Sequence, residues 1–106
     1  MQDFSRIDTA ERAREAVLDG RLKRILLLPE QLGGRDVPEN VAYVPEPIHS
    51  LILSAIQEIL ELAKGGAWEI SLVPEYRDRS FVPARIKIDA GQEHEPSAYN
   101  RQISVW

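Results

Sequence analysis

Three groups of side chains in this sequence are of the types that chemistry needs. The first is the acidic set Glu30, Asp36, Glu39 and Glu46, with Arg35 among them, on the segment from Pro29 to Pro47. Carboxylates can do acid–base work when burial or mutual proximity splits their pKa values. Nothing in the flanking sequence indicates burial, so the plainer reading is a solvated loop. The second group is Glu75-Tyr76-Arg77-Asp78-Arg79-Ser80-Phe81, which mixes aromatic rings with guanidinium groups. Arginine can grip a carboxylate or phosphate with two parallel hydrogen bonds, and Arg with Tyr is a common pairing at binding surfaces. Arg85 and Lys87 would extend a positive stripe from it. Its plain reading is a hairpin tip with local Asp–Arg pairs.

The third group is the two histidines, His49 and His94. His49 falls in the first turn of a helix pattern, beside Ile48, and reads as a boundary residue. His94 is flanked by Glu93 and Glu95, but sequence neighbours rarely point at one ligand. Cysteine is absent, which removes thiolate metal sites and disulfides. No HExxH, P-loop or GxSxG spacing occurs. Gly33-Gly34 lacks the further glycine of a dinucleotide turn and reads as a flexible turn. The expectation is no metal site and no cofactor, and an enzyme is less expected than a binding protein.

The elements that would position these groups can be read from pattern. Asp8-Thr9-Ala10-Glu11 reads as a capping box opening a helix from Thr9 to Asp19, with Gly20 at a left-handed cap. Leu22 to Leu28 reads as a central strand, because Ile25 to Leu28 are continuously apolar. Val41 to Val44 is a second short strand. From Pro47 to Lys64, Ile48, Leu51, Ile52, Ala55, Ile56, Ile59, Leu62 and Ala63 follow helical spacing, with Leu53 and Leu60 widening one flank, and Gly65-Gly66 would stop the helix. Leu51, Ala55, Ile56 and Ile59 are expected to be its buried face.

Three alternating runs follow, around Trp68–Val73, Val82–Asp89 and Gln102–Trp106, with Gly91 to Asn100 read as a polar loop. The expected fold is one α+β domain over residues 1–106. It is a two-layer sandwich with element order α-β-β-α-β-β-β, a mixed but mainly antiparallel five-stranded sheet, and the helix at about 47–64 on one face. If the last strand is a sheet edge, Trp106 lies on the wet face or near the rim and a weak homodimer forms through it; the competing outcome is a monomer in which Trp106 folds back onto the domain.

Composition narrows the function classes. The 106 residues carry a net charge of −4 and no cysteine. That fits a soluble cytoplasmic protein, and no run approaches a membrane span of about 20 apolar residues. An acidic chain is a poor partner for nucleic acid. The segment from Pro29 to Gly66 holds two basic and six acidic residues, so it points toward a basic protein partner. The same segment concentrates four of the seven prolines next to the most apolar run, a place where small domains often carry specificity. The leading expectation is a binding or regulatory protein acting through a protein partner, in an immunity-like or adaptor role. The alternative is a small-ligand site or an enzyme site where the 29–47 and 75–81 segments meet. The candidate binding residues are Glu30, Arg35, Asp36, Glu39, Tyr43, Tyr76, Arg77 and Arg79.

Overall fold

Helix α1 spans Ala10–Leu18. Its N-cap is Thr9 rather than Asp8: the Thr9 hydroxyl accepts from the Arg12 amide at 3.1 Å. Asp8 is drawn instead to the Arg12 guanidinium, at 2.8 Å, so the expected capping box is not formed. Gly20 takes the left-handed conformation, with φ of 80°, that lets the chain turn directly into a strand. A computed structural model describes residues 3–64, 68–92 and 94–106, with the side chains of Gln31, Pro96 and Ser97 left aside. The expected helix stop at Gly65-Gly66 therefore lies outside the described residues, as does Glu93.

Strand β1 is Lys23–Leu26 and β2 is Val41–Val44; they pair antiparallel, Ile25 opposite Ala42. Helix α2 is Glu46–Leu62, with Pro47 in its first turn, where a missing N–H costs nothing. Strands β3 (Glu69–Tyr76), β4 (Pro83–Gln92) and β5 (Glu95–Ser104) form an antiparallel meander. The expected element order α-β-β-α-β-β-β is the observed one, in an α+β fold.

The five strands divide into two sheets, β1-β2 and β3-β4-β5, and every pairing is antiparallel. The reason lies in β4. It is flanked by β3 on one edge and β5 on the other, so it has no ladder to offer β2, which only packs against it. For the same reason β1 is not central. Ile25 and Leu27 are buried, whereas Leu26 and Leu28 are only partly so. Pro74 sits in β3, an edge strand, where a proline does not interrupt a shared ladder.

One apolar stripe joins the two sheets. Ile48, Ile52, Ala55, Ile56 and Ile59 of α2 pack with Ile25, Leu27, Ala42 and Val44 from the first sheet and Ile86, Ile88, Ala90 and Ile103 from the second. Leu51, expected in this stripe, is 39% exposed. Successive residues turn by about 100° around a helix, so a stripe centred on Ile52 leaves Leu51 on the flank. A second core lies at the other end, where Phe4, Ile7, Ala13, Ala16, Leu22 and Val82 cluster.

The segment Gly91 to Asn100, expected as a loop, is mostly strand. Its inward polar residues are satisfied from α2: the Tyr99 hydroxyl donates to Glu58 Oε2 at 3.0 Å, and Arg101 lies 3.9 Å from Glu58 Oε1. Its outward Asn100 donates to Asp89 on β4. Polar residues on both faces hid the alternation. Of the two outcomes for Trp106, the structure shows the second, folded back onto the domain. Its indole N–H donates to the Val82 carbonyl at 2.9 Å, and its ring meets Phe4 edge to face at 6.2 Å.

The two sides of α2 should respond unequally to truncation. Ile59→Ala, at a fully buried position, should cost about 2–5 kcal/mol in denaturant unfolding. Leu51→Ala should cost less than about 1 kcal/mol, as partly exposed positions do. Equal losses would contradict this facing of the helix.

Candidate ligand cleft

The 29–47 segment is built around one side chain, Asn40. The Leu27 amide donates to the Asn40 carbonyl at 2.8 Å, which continues the β1–β2 ladder by one pair. The Asn40 carboxamide then takes over. It accepts from the Leu28 amide at 2.8 Å, donates to the Leu28 carbonyl at 3.0 Å and donates to the Arg35 carbonyl at 2.9 Å. Between these points lie two short 3-10 turns, Glu30–Leu32 and Pro38–Asn40. Gly33 has φ of 93°. At Gly34 a Cβ would lie 1.6 Å from the Leu28 carbonyl oxygen, so only glycine lets the segment fold back onto β1.

This folding-back carries Asp36 to Arg24. Arg24 and Tyr43 are opposite each other on the outer face of the first sheet, away from α2. The Arg24 guanidinium donates to Asp36 at 2.6 and 3.5 Å. That hydrogen bond, aided by the opposite charge, holds the Asp36 carboxyl below its ordinary value of 3.8.

The 75–81 segment is anchored from the other side. The Ser80 hydroxyl, buried, donates to the Phe4 carbonyl at 2.7 Å and accepts from the Val82 amide at 3.0 Å. The Phe81 amide donates to the Ile7 carbonyl at 2.6 Å. Asp78 takes a left-handed φ of 56° at the tip, a conformation that Asp tolerates better than most residues. A register shift between Glu75 and Tyr76 ends the regular pairing, as bulges do where a side chain is re-aimed. Burial pushes the Tyr76 hydroxyl above its ordinary pKa of 10.0, so it remains a hydrogen-bond donor near neutrality.

The two segments face each other across a cleft of about 610 Å³, floored by Arg24, Val41 and Tyr43 and walled by Asp36, Pro38, Tyr76, Arg79, Ser80 and Phe81. This is the meeting place expected from the sequence. Asp36, Tyr43, Tyr76 and Arg79 are brought together in it. The other candidates are not. Arg77 turns away and stacks over the Trp106 ring, 4.2 Å from its centre. Glu30 lines a separate groove with His49, while Arg35 and Glu39 are exposed. Arg85 and Lys87 both pair with Glu75, so they do not extend a positive stripe.

Sequence reasoning missed Arg24, Ser80 and Phe81 as cleft residues. Arg24 was hidden by reading its strand as central. The informative signal was its alternation with Ile25 in a chain whose next strand carries Tyr43.

The charges in the cleft do not cancel. Arg24 is matched by Asp36, while Arg79 makes no ion pair or side-chain hydrogen bond among the described residues. Its other groups are aromatic rings, a buried hydroxyl and a carboxylate held ionised. Such a carboxylate is a weak base at neutral pH, so the arrangement suits holding a ligand better than moving protons. Among the described residues no group of three or more His, Asp or Glu could hold a metal ion. Among the described residues no helix is long and apolar enough to cross a membrane. Comparison with protein-family models, with curated proteins and with solved structures finds no match.

Asn40→Ala would remove both carboxamide donors and the acceptor for Leu28. The expected loss is about 1–3 kcal/mol, because partly buried backbone groups are left unmatched. Denaturant unfolding measures it, and faster amide exchange at Leu28 should accompany it.

Proposed function

We propose that this protein is a small-ligand-binding protein. Its ligand would be an amphipathic anion, with a carboxylate held by Arg79 and Arg24 and an aromatic or aliphatic body lying against Tyr43, Tyr76 and Phe81. The observation that carries this reading is the unmatched Arg79 guanidinium among three aromatic rings in one cleft. The cleft volume falls in the range of small-molecule sites, about 300–1,000 Å³. Arginine provides two parallel donors to a carboxylate, and Tyr76 adds a neutral donor. A cytoplasmic location accords with the absence of cysteine.

A test needs a probe of matched shape and differing charge. 3-Phenylpropionate and its neutral amide, titrated while backbone amide shifts are followed, provide one. The acid should move the amides of residues 36, 43, 76 and 79 saturably. Either the neutral amide or the variant Arg79→Gln should bind about ten- to a hundredfold more weakly, the range for a lost charged hydrogen bond. Equal binding of acid and amide, or shifts scattered away from the cleft, would remove the reading.

A protein partner remains the second reading. It is favoured by Glu30, Arg35 and Glu39, which are exposed and make no ion pair among the described residues. A basic surface would meet two of these three. Glu39→Lys should leave stability within about 0.5 kcal/mol of the parent, as surface changes do. It should also lower the yield of any protein that co-purifies with the parent chain. An unchanged set of co-purifying proteins would count against this reading.

A further inference from the structure

We infer that the free edge of β1 is a self-association surface. Two copies of this chain would pair β1 to β1 in antiparallel fashion, so that the two-stranded sheets merge into one four-stranded sheet with both α2 helices on the same face.

The backbone supplies the first argument. Leu27 pairs with the Asn40 carbonyl, and in an antiparallel ladder hydrogen-bonded pairs recur at every second residue. Lys23 and Ile25 therefore bond to β2, while the N–H and C=O groups of Arg24 and Leu26 point outward. Among the described residues the sheet has these two strands and no third, so nothing in it covers that edge. A two-stranded ribbon alone is marginal, and an open edge is a template for another strand. The two charges on the strand do not guard it, because Lys23 is near Glu46 at 3.6 Å and Arg24 is bound to Asp36.

The helix supplies the second argument. The flank of α2 above the β1 edge is apolar and uncovered: Leu53 is 53% exposed and Leu60 38%. Below them runs a groove lined by Ile25, Leu26, Pro29, Glu30, His49 and Ile52. Strands in a sheet are spaced by about 4.8 Å, so two strands occupy about 9.6 Å. Packed helices lie about 8–10 Å apart. α2 is shared with the second sheet, but it contacts β1 and its Leu53 flank lies beside the β1 edge, so doubling the first sheet about that edge turns the two flanks toward each other. The side chains at that contact would be Leu53 and Leu60.

Symmetry and charge choose the occupant and the register. A twofold axis is the commonest way for a chain to meet itself. Pairing centred on Ile25 sets Arg24 of one copy against Leu26 of the other, uses all the outward backbone groups and avoids Arg24 facing Arg24. It also carries Arg21 of the second copy, which in its own chain pairs with Asp19 at 3.0 Å, toward Glu30, which makes no ion pair among the described residues.

Sedimentation of the intact chain from low to high micromolar concentration tests this, together with amide exchange. The weight-average mass should rise toward twice the 12.0 kDa of the chain. Protection of the Arg24 and Leu26 amides should rise with it. Leu53→Glu changes an exposed residue, so circular dichroism should be unchanged while the dissociation constant rises at least about tenfold. A monomer at every concentration overturns the inference. So does a dimer whose formation leaves the Arg24 and Leu26 amides unprotected, a readout that does not depend on any variant folding.

Discussion

Among the described residues the two sheets share no hydrogen bond, and the larger of the two apolar cores that hold them in one fold is a stripe of isoleucines. Ile48, Ile52, Ile56 and Ile59, with Ala55, pack in one cluster with residues of both sheets. β4 cannot bind β2, because both its edges are already used. Side-chain packing on α2 must therefore do the work that a continuous ladder does in other two-layer folds. Dispersion and apolar burial are non-directional, so they fix proximity better than register. Register within each sheet is left to the strands, and the polar contact of Glu58 with Tyr99 and Arg101 adds direction between α2 and the second sheet.

The cleft inherits this division. Its floor belongs to the first sheet, and Asn40 and Gly34 fasten the 29–47 wall to that sheet. Its other wall belongs to the second sheet and is tied by Ser80 and Phe81 to the N-terminal segment. Charge follows the same line. The cation of the floor is matched by the first wall, and the unmatched one comes from the second. A site assembled across two units joined by packing has walls whose separation depends on the helix between the sheets.

How much of this was legible from sequence depended on whether a local pattern had one cause. The α2 stripe and the order of elements were legible because apolar spacing over seventeen residues has few alternatives. The meeting of the 29–47 and 75–81 segments was legible from their residue types, since both interrupt apolar elements. Arg24 was not, because a run of four apolar residues beside it fits either a buried central strand or an edge strand under a helix. β5 was hidden because its inward polar groups are satisfied by Glu58, a residue forty-one positions before Tyr99. Asn40 was missed for a related reason. An asparagine before a strand looks like a boundary, and its three hydrogen bonds exist only once the chain has folded back.

Trp106 has a consequence of a different kind. Its indole lies under the Arg77 guanidinium and against Phe4, with its N–H fixed to the Val82 carbonyl. Arg77 belongs to the same turn that carries Tyr76 and Arg79 into the cleft. Any displacement of that turn moves a positive charge across the face of the ring. The emission energy of an indole follows the field along its long axis, so with Trp68, the other indole of the chain, replaced, Trp106 is an optical gauge of the turn that needs no label.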